Sequence, residues 1–365
     1  MGRNAIQEIV RDFPTNELKP APHQSKALRC IECCRTGKLG VTKVVCNDCG
    51  NEWYFYKSCG NRNCPGCNSL KQLRWKESRM SEQLNVPYYH AVFTVPAELN
   101  TFFLNHQRDC YDLLFRTVSE TLLTLAADKE KQKLNAQIGF ICVLHTWGST
   151  LSYHPHIHVI LPGCGLTKDN KLVQPTGKFL FPVKVMSSLF RGKFLAGLKK
   201  LKIDQKSVPY NELYGKPWVV YLKDSMPGSS HVVEYLSRYT HKIAISNSRI
   251  IRWNQDNVTF SYKDYRDANK LKEMTLSTRE FLRRYLLHIL PPGFVKVRFY
   301  GFLSNRNKAH TLELIRNLLK QAPIADRFKG KSSIDLLEFL GMICACSNCG
   351  SKNFSTRYLK KPLPE

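Results

Sequence analysis

Apolar residues along this chain recur with two different periods, and the change of period marks its organisation. YYHAVFTVP (88–96) is dense in aromatic and β-branched residues and predicts a strand. IGFICVLHTW (138–147) predicts a second strand and HPHIHVILP (154–162) a third. The short GSTLSY (148–153) between them predicts an antiparallel hairpin. Helical spacing governs 101–134, read as one long helix or two, and HVVEYLSRYTHKIA (231–244), which follows the turn PGSS (227–230) and its serine N-cap candidates. Further helices are expected at 277–289 and 308–320. No internal repeat and no low-complexity tract interrupts the pattern.

Four stretches follow from this. Residues 1–26 form a short helical lead-in ending in KPAPHQSK, and 27–80 hold a cysteine cluster with a basic helical tail, LKQLRWKESRM. Residues 85–250 alternate strand and helix patterns, and 251–365 mix strands and helices and end in a second cysteine group. The expected class is α+β. At 365 residues the chain suits two or three domains, and its 43% apolar content is enough to bury real cores. The N-terminus is charged and lacks the apolar centre of a signal peptide, and no run of about 18 apolar residues spans a bilayer. A reducing, cytoplasmic setting without a membrane partner is therefore expected.

Charge narrows the partner. Lys and Arg number 55 against 29 Asp and Glu, a net charge of +26. Such a surplus on a folded chain implies a polyanion, with DNA or RNA ahead of an anionic membrane, because no long basic amphipathic helix stands out. Plain solubility charge is the bland alternative.

Of 14 cysteines, eight fall between Cys30 and Cys67 and three between Cys344 and Cys349. In a reducing setting, clusters of this kind read as metal ligands. Cys46-x2-Cys49 and Cys64-x2-Cys67 are two knuckles separated by fourteen residues, and they can fold back to place four thiolates around one structural Zn²⁺. Cys30, Cys33, Cys34 and Cys59 remain for a second site, with only one of the adjacent Cys33 and Cys34 able to face a shared metal. Cys344-x-Cys346-x2-Cys349 is half a knuckle whose completion needs a distant histidine or the N-terminal cluster, free thiols being the alternative. A zinc module in a basic protein usually presents positive charge to nucleic acid. The flanking Arg62, Lys71, Arg74, Lys76 and Arg79 fit that use.

Strand side chains alternate faces, so His154, His156 and His158 share one face, with about 7 Å between neighbours. With a turn centred near residues 150 and 151, His145 lies across from His156. His145, His156 and His158 then form a three-nitrogen face with open positions on a divalent cation. Such a site can activate water or polarise a phosphate for a protein nucleophile. No carboxylate stands at close sequence spacing to serve an activated water. Ordinary surface imidazoles are the alternative. Tyr235 and Tyr239 lie four apart on one face of the expected 231–244 helix. Together with Val232, Leu236 and Ile243 they read by pattern as an apolar core stripe, and a pair of phenolate nucleophiles is the functional alternative.

His156-Ile157-His158 resembles the His-hydrophobic-His motif of the HUH endonuclease superfamily, and VFTVP (92–96) its first strand motif. More closely, the chain resembles the two-tyrosine rolling-circle transposases of the insertion-sequence-91 family. The matching segments are CRTGKLG (34–40), SCGNRNCPGC (58–67), YYHAVFTVP, LHTWGSTLSYHPHIHVILPG (144–163), YLSRYTHKIAISNSRI (235–250) and LPPGFVKVRFYGFLSN (290–305). One departure is Asn63, where related text carries a histidine. The resemblance implies an antiparallel sheet flanked by helices, with the tyrosine helix facing the histidine strands. It implies Tyr235 and Tyr239 as nucleophiles, Mg²⁺ or Mn²⁺ on the three histidines, and single-stranded DNA cut and rejoined through 5′-phosphotyrosine. It also implies element ends captured as a hairpin or short duplex by the zinc modules. Arg238 and Lys242 flank the tyrosines, with phosphate neutralisation and plain solvation as their two readings. The competing functions are a zinc-finger regulator without catalysis and a metal-dependent nuclease using activated water.

Overall fold

A computed structural model of the chain describes residues 4–67, 69–128, 135–175, 181–226, 244–265, 267–341 and 345–359. Its centre is the expected hairpin. Strand β4 (Gln137–Trp147) pairs antiparallel with β5 (Tyr153–Pro162), and β5 pairs on its other side with β3 (Tyr88–Thr94). Among the described residues these belong to a seven-stranded sheet. It continues through β6 (Gly165–Leu166) and β7 (Leu172–Val173) on one side and β8 (Val220–Met226) on the other, and β12 (Val297–Gly301) also joins β4. Gly301 makes the last junction possible. Its φ is +58°, and a Cβ there would collide with the carbonyl oxygen of Ile138.

Pleating sorts the sheet into two faces. Ala91, Phe93, Cys142, Leu144, Ile157 and Val159 face one way and are buried in the main core. Helices α5 (Gln107–Ala127) and α6 (Val183–Lys199) cover that face, supplying Leu114, Phe115, Phe190 and Phe194. Each such side chain contributes about 1.5–3 kcal/mol by leaving water. The opposite face is divided. At one end Tyr88, Ile141, Val143 and Ile160 pack beneath Leu312 and Ile315 of α9 (Lys308–Leu318) and Trp75 of α3 (Ser69–Ser81). At the other end the face carries histidines and is open to a cleft.

The lead-in is built into the fold. Helices α1 (Ala5–Asp12) and α2 (Pro22–Glu32) share a core with β9 (Ile250–Trp253), β10 (Asn257–Asp264), β11 (Lys270–Ser277) and α8 (Thr278–Leu287). Leu151, at the tip of the β4–β5 hairpin, is buried in the same core. Helix α8, expected over 277–289, starts where the Ser277 hydroxyl accepts the Glu280 amide. The expected 101–134 helix divides into α4 (Asn100–Asn105) and α5 at His106. The third sheet joins β1 (Val41–Cys46) to β2 (Glu52–Tyr56) and, from the far end of the chain, to β13 (Phe354–Leu359). The remaining described helices are α7 (Tyr210–Gly215) and α10 (Ser333–Phe339). No helix among the described residues is long and apolar enough to cross a membrane.

Candidate metal centre and its cleft

The hairpin register pairs His145 with His156 and Val143 with His158. Ligand atoms of His145, His156 and His158 lie within 4.8 Å of one another, on side chains that are all buried. The Nε2 atoms of His156 and His158 are 3.0 Å apart. His154 lies on the same face beside His156 but outside the group of three. Three converging imidazole nitrogens fit a divalent cation with positions left open. Burial pushes His156 down to about 4, so near neutral pH its imidazole is unprotonated and able to ligate.

Neighbouring groups orient these rings. His156 Nδ1 lies 2.7 Å from the His154 carbonyl oxygen and donates to it, which leaves Nε2 as the ligating atom. His158 Nδ1 pairs at 2.9 Å with Nε2 of His90 on β3, so its Nε2 also turns to the shared centre. The sequence reading passed over His90, yet its position within the strand pattern YYHAVFTVP, on the face opposite Phe93, was the available signal. Trp147 stacks on His145 at 4.6 Å, and His288 packs against Trp147 in turn.

The hairpin tip is clamped from outside the sheet. His288 bridges Thr146 Oγ1 at 3.2 Å and the Leu151 carbonyl at 3.1 Å. Arg249 donates to the carbonyl of Ser149, and Arg284 to that of Thr150. Burial pushes His288 down to about 4, against about 6.5 in an unfolded chain. A depressed histidine makes its full contribution above pH 6.5 and loses it as pH falls towards 4. The expected cost is about 1.4 kcal/mol per pH unit within that window. Urea midpoints at pH 7, 6 and 5 should therefore fall more steeply for the wild type than for His288→Gln. Equal slopes would refute the assignment.

The histidines open on a cleft of about 1110 Å³. Its walls include Cys64 and Cys67 on one side and Arg249, Lys263 and Tyr265 on the other. No carboxylate appears among its described lining residues. Ala244, Ile245 and Ser246 also line it. Tyr235, Arg238, Tyr239 and Lys242, with the expected 231–244 helix up to residue 243, lie outside the described residues.

The cysteines assemble differently from the expected pairing. Cys64 and Cys67 meet Cys34 and Cys59, whereas Cys46 and Cys49 meet Cys346 and Cys349. The two N-terminal knuckles therefore do not share one metal. Each instead completes a separate four-sulfur group, the second with residues about 300 positions away. Paired Sγ atoms lie 3.3–3.6 Å apart in both groups. Four sulfurs at about 2.3 Å from a tetrahedral Zn²⁺ have edges of about 3.8 Å, so both sets fit structural zinc. Hydrogen bonds from Cys59 and Cys64 push Cys67 down, and hydrogen bonds with Cys59 and Cys67 push Cys64 up, so without a cation the four sulfurs do not ionise together. The Cys349 backbone amide, the largest influence on Cys346, pushes that thiol down to about 6. Cys30 and Cys33 belong to neither group. Cys30 lies on α2, and the chain reverses after Cys33 so that Cys34 alone points into the site. Asn63 supplies no ligand to these four-sulfur groups. Its backbone N–H and side-chain amide donate to Asn61 Oδ1, and its carbonyl accepts a hydrogen bond from Tyr285.

The basic residues near the knuckles also divide. Arg62 donates to the carbonyls of Phe294 at 2.6 Å and Pro291 at 3.1 Å, so its guanidinium fastens the zinc module to the 290–294 loop. Arg79 pairs with Glu82 at 2.8 Å and lies over the Trp75 and Phe299 rings. Lys71 is exposed and Arg74 half-buried on α3.

Comparison with known proteins agrees with this architecture. Residues 5–95 match the family model "Transposase zinc-binding domain", and residues 139–310 match the model "Putative transposase". A Sinorhizobium fredii protein described as "Putative transposase y4qJ" is 41% identical over 313 residues, covering 81% of this chain and 78% of the relative. A Pseudomonas savastanoi pv. phaseolicola protein described as "Transposase for insertion sequence element IS801" is 27% identical over 315 residues, covering 79% of this chain and 72% of the relative. No solved structure matches the chain significantly.

Proposed function

Since this chain belongs to the insertion-sequence transposases of the IS91 and IS801 type, we propose that it cuts and rejoins single-stranded DNA at element ends by HUH-type chemistry, with Tyr235 and Tyr239 as nucleophiles. The observation that carries this reading is the cleft. It joins three convergent, buried histidines to Ala244, which follows the tyrosine segment directly. Tyr239 stands five positions before Ala244, and five positions span at most about 18 Å. The sequence thus puts the tyrosine segment next to a residue of the cleft wall.

His145, His156 and His158 would hold the Mg²⁺ or Mn²⁺, which when bound supplies Lewis-acid polarisation of the scissile phosphate. The chain's own groups do the remainder. A tyrosine oxygen gives up its proton and attacks phosphorus, the bond to the 3′ oxygen breaks, and that oxygen takes up a proton to leave as a 3′-OH. The phosphotyrosine ester conserves the bond energy for rejoining. A second tyrosine allows a second strand to be cut before the first is resealed. The cleft's carboxylate-free described lining favours a protein nucleophile over a water needing a general base. Exposed Lys71 and Lys263 offer partners for backbone phosphates, and the net charge of +26 favours encounter with any DNA.

Incubation with single-stranded DNA from the element's own end, with and without Mn²⁺, tests the reading directly. The expected product is a Mn²⁺-dependent covalent protein–DNA adduct on a denaturing gel. Cleavage without any adduct would instead establish a hydrolase.

A further inference from the structure

The sheet closed by the second four-sulfur group turns aromatic rings to solvent. Register places Tyr358 of β13 opposite Thr42 of β1, and Thr42 opposite Phe55 of β2. Tyr358 and Phe55 therefore lie on one face, two strand spacings or about 10 Å apart. Their exposures, 48% and 53%, are high for rings on a strand. Trp53, two residues before Phe55, and Phe354, four before Tyr358, lie on the same face and meet edge to face at 5.1 Å. Four rings thus share one face of a sheet of three short strands. An exposed cluster of this kind marks a binding surface more often than it marks chance.

One ring is visibly held in place. Tyr358 lies over Gly40, whose φ is +104° and where a Cβ would collide with the phenol. The Lys57 ammonium sits 4.3 Å from the ring centroid, and the phenol hydroxyl donates to the Leu39 carbonyl at 3.4 Å. The loop that brings Gly40 there is CRTGKLG (34–40), which also carries Arg35 and Lys38. Residues 33–46 and 354–359 contain no acidic side chain. Glu52, on β2, is paired with Lys43 at 2.6 Å.

We propose that this face is a stacking platform for unpaired bases of single-stranded DNA, with Phe55 and Tyr358 each taking a base and Lys57 a neighbouring phosphate. The proposal rests on the strand-cutting reading above and adds where the strand is held away from the histidine cleft. Flat rings interleaved with cations suit a strand whose base faces are free. In a duplex those faces are covered by stacking. A second copy of the chain would bring its own lysines and arginines against these, and the net charge of +26 opposes that approach.

The test uses the full-length, zinc-loaded protein and labelled oligothymidylate in an anisotropy titration, with a duplex of equal length alongside. Phe55→Ala combined with Tyr358→Ala is expected to weaken single-strand binding by about 10- to 100-fold and to change duplex binding little. Phe55→Trp should keep wild-type affinity, and its added fluorescence should be quenched on binding. Unchanged single-strand affinity in the double variant overturns the proposal. So does a double variant that turns a dimer into a monomer with DNA binding intact, because the face then belongs to a second copy. If the double variant fails to fold, Phe55→Trp decides, and absence of quenching refutes the platform. Adduct formation on an element-end oligonucleotide is scored in parallel at saturating DNA. Wild type and variant forming it with equal affinity removes the platform and leaves strand cutting intact. A wild type that forms no adduct, yet quenches in the Phe55→Trp form, removes strand cutting and keeps the platform.

Discussion

Replacing both Tyr235 and Tyr239 by phenylalanine is expected to reduce the covalent adduct to background, a loss of at least about 10³-fold, with DNA binding and metal dependence of binding preserved. The substitution removes two oxygens and little else, so the apolar contacts of a core stripe would survive it. This separates the two readings of the segment. If the pair is only core, the double variant cleaves normally and its thermal stability shifts slightly. If the pair supplies nucleophiles, stability is kept and chemistry is lost. Single variants refine the result. Two tyrosines that act on successive strands should each leave a partial product, a nicked strand in one case and an unresolved joint in the other. A double variant that still forms adduct would move the nucleophile elsewhere on the chain.

Cys67→Ser is expected to lower bound zinc by one ion per chain and to unfold the core that joins α1, α2, β9–β11 and α8. Structural zinc in small sites is worth on the order of 10–16 kcal/mol, more than most domains hold in reserve. Cys34, Cys64 and Cys67 are all buried in that core beside Leu151 of the hairpin tip. Loss of the metal leaves buried sulfurs competing for protons where Ile6, Ile31 and Phe281 pack. The damage should therefore reach the histidines, and cleavage should fail along with the thermal midpoint. Cys349→Ser is the instructive contrast. It also removes one zinc, but its group lies in the three-stranded sheet, and the hairpin should keep its fold. Native mass spectrometry with a thermal melt checks both. A Cys67→Ser protein that retains two zinc ions and the wild-type midpoint would refute the assignment.

The histidine face was legible because every step towards it is local. A period of two puts His156 and His158 on one side, and a short loop fixes which residue of the preceding strand stands across from His156. His90 was not reached, since it comes from a strand whose neighbour in the sheet no local rule names. The cysteines show the same boundary. Spacing identified the knuckles, but chemistry alone does not say which knuckles meet, because any two CxxC pairs can complete a tetrahedron. The meeting of Cys46 with Cys349 is set by pairing of β1 with β13, a contact between residues 303 apart. Arg62 is a further case. Sequence marks it as a cation beside a zinc knuckle. Only the tertiary fold reveals the 290–294 carbonyls that occupy it. The α+β class, the three strands at 88–96, 138–147 and 154–162 and the helices near 277–289 and 308–320 followed from periodicity. The junction of lead-in, hairpin tip and β9–β11 in one core did not.

The pairing of β13 with β1 also sets a schedule for synthesis. Cys46 and Cys49 leave the ribosome long before Cys346 and Cys349, and at about 5–20 residues per second the interval is roughly 15–60 s. During that time the early knuckle has half of its ligands, and β1 and β2 lack their third strand. A chain stopped between residues 320 and 345 contains the histidine hairpin and the residues that clamp its tip, yet never closes this group. The last part of the described chain to be made thus seals one of the first, and a closed four-sulfur group marks a chain translated from β1 through β13.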